Sequence, residues 1–170
     1  MDQARQKQIV EALLFLKEEP LRLEKIADVL ELPREEARKV VTELQLEMAR
    51  TARGIRIFEV AGGYQMGTLP ELADDLERAF GEEGGGNLSN ASLETIAIIA
   101  YKQPLTRAEI ESIRGVNCDH VLENLLKRKL IKISGRKEAP GRPLIYCTTV
   151  DFLKYFGLKD LNELPVLEKE

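Results

Sequence analysis

The sequence predicts a mostly helical α+β chain with small β wings, organised as two tandem winged-helix domains joined by a flexible Gly/Glu-rich linker. Three observations predict it. Sliding the 170-residue chain 84 positions along itself, without a gap, puts Pro20-Leu21 on Pro104-Leu105, Ile26 on Ile110, Leu32 on Val116, Val41 on Leu125 and Leu46 on Leu130. Both copies then read in one order: apolar helix, turn at Pro-Leu, short helix, tighter turn, longer helix, strand pair. Between them, residues 81–87 read Gly-Glu-Glu-Gly-Gly-Gly-Asn, the composition of a soft joint. The expected boundaries are 1–80 for the first domain, 81–87 for the linker, 88–157 for the second domain and 158–170 for a tail.

In the first copy, Ile9, Leu13 and Leu16, with Ala12 alongside, recur at helical spacing and form one apolar stripe. Pro20 interrupts the pattern by removing a helix donor. Leu23, Ile26, Ala27 and Leu30 fall on one face of a short helix. Pro33 suits the first turn of the next, where its missing N–H costs nothing. Ala37, Val40, Val41, Leu44 and Met48 make that helix's buried face. Its other side mixes Arg34, Arg38 and Lys39 with Glu35, Glu36, Glu43 and Glu47, more acid than a helix reading DNA carries. Ile55, Ile57 and either Phe58 or Val60 mark a strand. Gly62-Gly63 is the expected turn and Tyr64-Gln65-Met66 the return strand. A last helix over 71–80 places Leu72, Leu76 and Ala79 together.

In the second copy, Asn87 or Ser89 caps a helix carrying Leu93, Ile96, Ala97, Ile99 and Ala100. This helix has more apolar surface than one narrow stripe needs. Thr106-Arg-Ala-Glu109 is a capping box that starts the short helix. Gly115 ends it, Val116 is expected to pack inward, and Asn117 to cap the third helix with Val121, Leu122, Leu125 and Leu126 buried. Strands follow at 130–134 and 144–149, with the wing Gly135-Arg-Lys-Glu-Ala-Pro-Gly-Arg-Pro143 between them. Two prolines and two glycines restrict that loop while Arg136, Lys137 and Arg142 project charge. It is either a tolerated connection or a binding loop. Lys127-Arg128-Lys129 likewise reads two ways, as favourable charge at a helix C-terminus or as a basic patch.

Charge divides the copies. Residues 1–87 hold 12 Lys/Arg against 18 Asp/Glu, net −6, and residues 88–157 hold 11 against 7, net +4. An acidic first half is a poor phosphate-binding surface. Cys118 and Cys147 have no metal-ligand spacing and read as free thiols. His120 reads as a surface residue. No nucleophile–base pair, metal cluster, phosphate loop or cofactor motif is legible, so an enzyme is not expected. The N-terminal stretch lacks the apolar core of a signal peptide and no run approaches the roughly 20 residues of a membrane span, so a cytoplasmic protein is expected.

The stretch Thr95 to Asn117, TIAIIAYKQPLTRAEIESIRGVN, resembles the signature of the segregation and condensation protein B family. The wing 135–143 followed by Leu-Ile-Tyr-Cys-Thr-Thr149 resembles that family's second hallmark. Glu11-Ala-Leu-Leu-Phe15, Glu19-Pro-Leu21, Val60-Ala-Gly-Gly-Tyr-Gln65 and Tyr155-Phe-Gly-Leu158 are similar to its remaining segments, so the resemblance covers almost the whole chain. It implies a non-enzymatic subunit of the bacterial condensin-like complex that supports chromosome condensation and partition at cell division. It implies a homodimer formed largely by the first domain. It implies binding to the kleisin subunit, segregation and condensation protein A, and through it to the SMC ATPase, in a cytoplasmic, nucleoid-associated assembly. No cofactor, metal or membrane enters that picture, and direct DNA binding is weak or absent. The competing expectation is a winged-helix transcription regulator that places residues 117–129 in a DNA major groove. Tyr101, Lys102, Gln103, Arg114, Arg136, Lys137 and Arg142 are the expected partner-facing set, because Tyr and Arg combine contact area with directional bonding.

Overall fold

In the computed structural model, which describes residues 1–80 and 87–166, the chain divides into two units, Met1–Gly85 and Gly86–Glu170. The expected soft joint at 81–87 lies outside the described residues except for Asn87. Among the described residues no helix is long and apolar enough to cross a membrane.

The first unit runs α1 (Gln3–Leu16), α2 (Leu23–Leu30), α3 (Arg34–Arg50), the antiparallel pair β1 (Ile55–Val60) and β2 (Gly63–Thr68), a 3-10 turn at Pro70–Leu72, and α4 (Ala73–Phe80). Asp2 caps α1 by accepting the Arg5 N–H at 2.7 Å. The expected buried faces of α2 and α3 are the buried faces, and Ile57 and Tyr64 join them in one core. On α1 the expected stripe is displaced: Val10 and Leu14 are buried, Ile9 and Leu13 half-buried, and Ala12 and Leu16 exposed. A run apolar at 9, 10, 12, 13, 14, 15 and 16 allows more than one stripe at helical spacing, and packing against α3 selects among them. Leu46 is also exposed while its repeat counterpart Leu130 is buried, because α3 has 17 residues and the matching helix of the second unit has 9. Ala79 is exposed on α4.

The hairpin turn lies one residue earlier than expected. Ala61 and Gly62 take positive φ (50° and 72°), while Gly63 already pairs with Val60 as the first residue of β2. Gly63 serves a different need. A Cβ there would lie 2.9 Å from the Leu21 carbonyl oxygen, so only glycine lets the Pro20-Leu21 segment approach β2. Leu21 and Tyr64 then exchange two backbone hydrogen bonds, at 2.8 and 2.9 Å.

The second unit runs α5 (Asn90–Lys102), β3 (Leu105–Thr106), α6 (Arg107–Arg114), α7 (Asp119–Lys127), β4 (Ile131–Arg136), β5 (Leu144–Thr148), α8 (Val150–Phe156) and a 3-10 turn at Leu161–Glu163. Its sheet order is β3-β5-β4, all antiparallel. Leu105 pairs with Tyr146 as Leu21 pairs with Tyr64, so the repeated Pro-Leu step makes the same cross-strand link in both units. Ser89 caps α5, and the Thr106–Glu109 capping box is fully formed. Val116 does not pack inward; it is 54% exposed, and Cys118 enters the core instead. Gly115 turns the chain in a left-handed conformation (φ 74°) and Glu111 accepts the Cys118 N–H at 3.2 Å, which seats Cys118 under the sheet-side core. Asn117 accepts the Asp119 N–H at 3.0 Å just ahead of α7 and is not its N-cap residue, which is Cys118. Leu158 and Leu164, placed in a separate tail by the sequence reading, pack on this core.

Candidate protein-binding surface of the second unit

One face of α5 carries Leu93, Ala97 and Tyr101 at four-residue spacing, so that side of the helix is an apolar line. Against it stand Phe152 and Phe156 of α8, their rings 4.8 Å apart, and the returning residues Leu158, Leu164 and Pro165. The result is an open groove of about 310 Å³ with almost wholly apolar walls. Leu93 and Phe156 are 40% and 39% exposed and line the same groove, so the exposed apolar surface there is contiguous. The Tyr101 hydroxyl donates to the Pro165 carbonyl at 2.7 Å and so fixes the returning segment along the groove's edge. Sequence reasoning named Tyr101 but missed Leu93, Ala97 and Phe156 as a surface. The available signal was the excess of apolar positions on the helix 90–102.

The seven expected contact residues fall into three groups. Tyr101 lines the groove and Lys102 is exposed beside it, its ammonium without a partner among the described residues. Gln103 turns inward: its amide donates to Thr148 Oγ1 at 2.9 Å and its carbonyl accepts the Thr148 N–H at 2.7 Å. Arg114 is also turned in. Its side chain is 7% exposed, and both Nε and Nη2 donate to Glu94 at 3.3 and 3.0 Å, tying α6 to α5. Both side chains of this pair are engaged by groups of their own unit, Gln103 by half-buried Thr148 and Arg114 by exposed Glu94.

The wing makes the third group. Lys137 N–H donates to the Pro143 carbonyl at 2.9 Å, Arg136 Nη1 to the Arg142 carbonyl at 3.0 Å, and Arg142 N–H to the Ala139 carbonyl at 2.9 Å. The loop is thereby closed on itself. Lys137 also pairs with Glu109 at 2.5 Å, which anchors the wing to the N-terminus of α6. The Lys137 ammonium, then the Thr106 N–H and hydroxyl, hold the Glu109 carboxyl down to about 2. Gly141 (φ 80°) and Arg142 (φ 41°) turn the tip, and the Arg142 guanidinium stands exposed with no partner among the described residues. Lys137 meets the start of α6 while Arg114 lies at its other end, so the two do not share a site.

Among the described residues no group of three His, Cys, Asp or Glu side chains converges for a metal. Burial, with the nearby Glu111 charge, pushes the Cys118 thiol up to about 11, away from thiolate reactivity. His120 is exposed.

The chain matches the sequence pattern of the segregation and condensation complex subunit ScpB family over residues 8–167. It is 51% identical over 162 residues to segregation and condensation protein B of Symbiobacterium thermophilum, covering 95% of this chain and 74% of that protein. It is 47% identical over 163 residues to the protein of the same name from Desulforamulus reducens, covering 96% and 90%. Among solved structures, the crystal structure of ScpB from Mycobacterium tuberculosis is 32% identical, covering 93% of this chain and 98% of that one, with a TM-score of 0.46. A dimer of the ScpB N-terminal domain complexed with ScpA peptide is 43% identical, covering 43% of this chain and 91% of that one, with a TM-score of 0.41.

Proposed function

The chain belongs to the segregation and condensation protein B family, and on that premise we propose that it is a non-enzymatic subunit of a bacterial SMC–kleisin complex, a homodimer that holds the kleisin and supports chromosome condensation and partition. The observation that carries the proposal is the apolar α5–α8 groove with Tyr101 in its wall. Helix-in-groove recognition needs apolar pockets for a few anchors and polar groups at the rim. The groove supplies the pockets and Lys102 the rim, and the closed wing offers Arg136, Lys137 and Arg142 as a preorganised cationic contact. Gln103 and Arg114 act in this reading as positioning residues that fix the ends of α5 and α6.

Self-association belongs to the first unit. Phe15 and Leu16 are 77% and 76% exposed at the end of α1, a cost that a partner copy would remove by burying them. The assembly works in the cytoplasm at the nucleoid, with the kleisin as its link to the SMC ATPase.

Isothermal titration calorimetry with a kleisin fragment tests the groove and the wing separately. Ala97→Trp fills the groove and Arg142→Glu reverses the wing tip, both at exposed positions where the fold tolerates them. Each is expected to weaken kleisin binding at least tenfold with circular dichroism unchanged. Wild-type affinity in both variants would remove this surface from the interface.

A further inference from the structure

The apolar line on α5 is open at one end and covered at the other. Leu93 and Ala97 are exposed, whereas Tyr101 is half-buried, with Leu164 and Pro165 in the same groove. At about 1.5 Å per helical residue, Leu93 to Ala97 is about 6 Å of helix and Leu93 to Tyr101 about 12 Å. A docked helix sets its anchors at i, i+3 or i+4, and i+7, a span of about 10 Å. The groove as it stands therefore offers one turn of a line whose full length is two.

The covering segment is built to move as a unit. At its fixed end the Leu158 N–H donates to the Leu153 carbonyl of α8 at 2.8 Å. Beyond that point the chain folds on itself. The Lys159 N–H donates to the Glu163 carboxylate at 2.7 Å, the Asn162 N–H to the Asp160 carboxylate at 2.7 Å, and the Leu164 N–H to the Leu161 carbonyl at 3.3 Å. Those bonds draw on no neighbouring element, so they survive if the segment swings away. Over 159–166 Leu164 is half-buried and the other residues are exposed. Leu164 on the core and the Tyr101 hydroxyl, donating to the Pro165 carbonyl at 2.7 Å, hold the far end down.

We propose that residues 159–166 are a displaceable strap over the groove, latched by the Tyr101 hydroxyl, and that an incoming kleisin helix opens it to reach the Tyr101 end of α5. The inference rests on the groove reading above and adds its regulation. A chain with the strap closed presents the short line, so the apparent affinity for the helix is scaled down by the fraction of chains with the strap open. Weakening the latch raises that fraction and tightens binding. Tyr101 then has two separable parts: its ring belongs to the groove wall and its hydroxyl to the latch.

Tyr101→Phe tests it, because the variant keeps the ring and removes the latch. In calorimetry of the full chain with a kleisin fragment, Tyr101→Phe is expected to bind about three- to tenfold more tightly than wild type, the opposite direction to Ala97→Trp. The amide heteronuclear NOE of residues 159–165 is expected to fall when the fragment saturates the wild-type chain, since a released strap moves on the picosecond to nanosecond scale. Tyr101→Phe within twofold of wild type, or weaker, beside a weakened Ala97→Trp would overturn the strap and leave the groove standing. An NOE unchanged at saturation would do the same, because the segment would then be a fixed wall. Wild-type affinity in Ala97→Trp would overturn the groove reading and the strap with it.

Discussion

Gln103 and Thr148 hold each other at both ends of the amide. The Gln103 carbonyl accepts the Thr148 backbone N–H at 2.7 Å, and the Gln103 amide donates to the Thr148 hydroxyl at 2.9 Å. This clasp closes the end of α5 onto the last residue of β5. The first unit solves the same problem from the other side, where Gln65 of β2 reaches back to the carbonyl of Glu18 beyond α1. Gln103→Ala leaves the Thr148 N–H without its acceptor and is expected to cost about 1–3 kcal/mol. Gln103→Glu keeps the acceptor and should cost less. Urea unfolding of the two variants gives the order; equal loss in both, or none, would refute the clasp.

Glu109 carries the pH dependence of the wing. Its folded-state carboxyl sits at about 2 against an ordinary 4.5, depressed first by Lys137 and then by Thr106. A depressed carboxyl stabilises the fold above its unfolded value, and that contribution is lost as pH falls from about 4.5 through about 2. The wing anchor is therefore expected to persist through neutral and mildly acidic pH. Carbon-detected NMR titration of Glu109 should show the low value, and Lys137→Gln should move it upward toward the ordinary carboxyl range. A Glu109 titration unmoved by Lys137→Gln would break the assigned pairing.

The two glycines of the first hairpin differ in what they protect. Gly62 has φ 72° with open space where a Cβ would go, so Gly62→Ala meets only backbone strain, about 1 kcal/mol. Gly63→Ala drives a Cβ to 2.9 Å from the Leu21 carbonyl oxygen, and backbone has to move. That change is expected to cost about 2–3 kcal/mol and to expose the Leu21 and Tyr64 amides to hydrogen exchange. Equal cost for the two, with Leu21 and Tyr64 still protected, would sink the close-approach argument.

Much of the candidate site was readable as separate pieces. The wing stood out because two prolines, two glycines and three cations occur within nine residues, a composition no buried strand carries. Tyr101 stood out because a Tyr side chain combines contact area with directional bonding. The bonds that Gln103 and Arg114 make inside the unit were not legible, because polarity alone does not say whether a side chain meets its own fold. That depends on whether Thr148, 45 residues away, or Glu94, 20 residues away, stands within hydrogen-bond reach.

Local rules sufficed wherever cause and effect lie within a few residues: the capping box at Thr106–Glu109, the breaks at Pro20 and Gly115, the buried faces of α2 and α3, and the repeated Pro-Leu step. Those features follow from helix periodicity, capping and backbone dihedral limits, which one stretch of chain carries unaided. Long-range packing set the rest. It chose Val10 and Leu14 over Leu16, Cys118 over Val116, and the groove between α5 and α8. An apolar run presents several equivalent stripes, and the choice among them is made by which neighbour's surface each stripe fits, a relation between segments distant in sequence that no single segment contains.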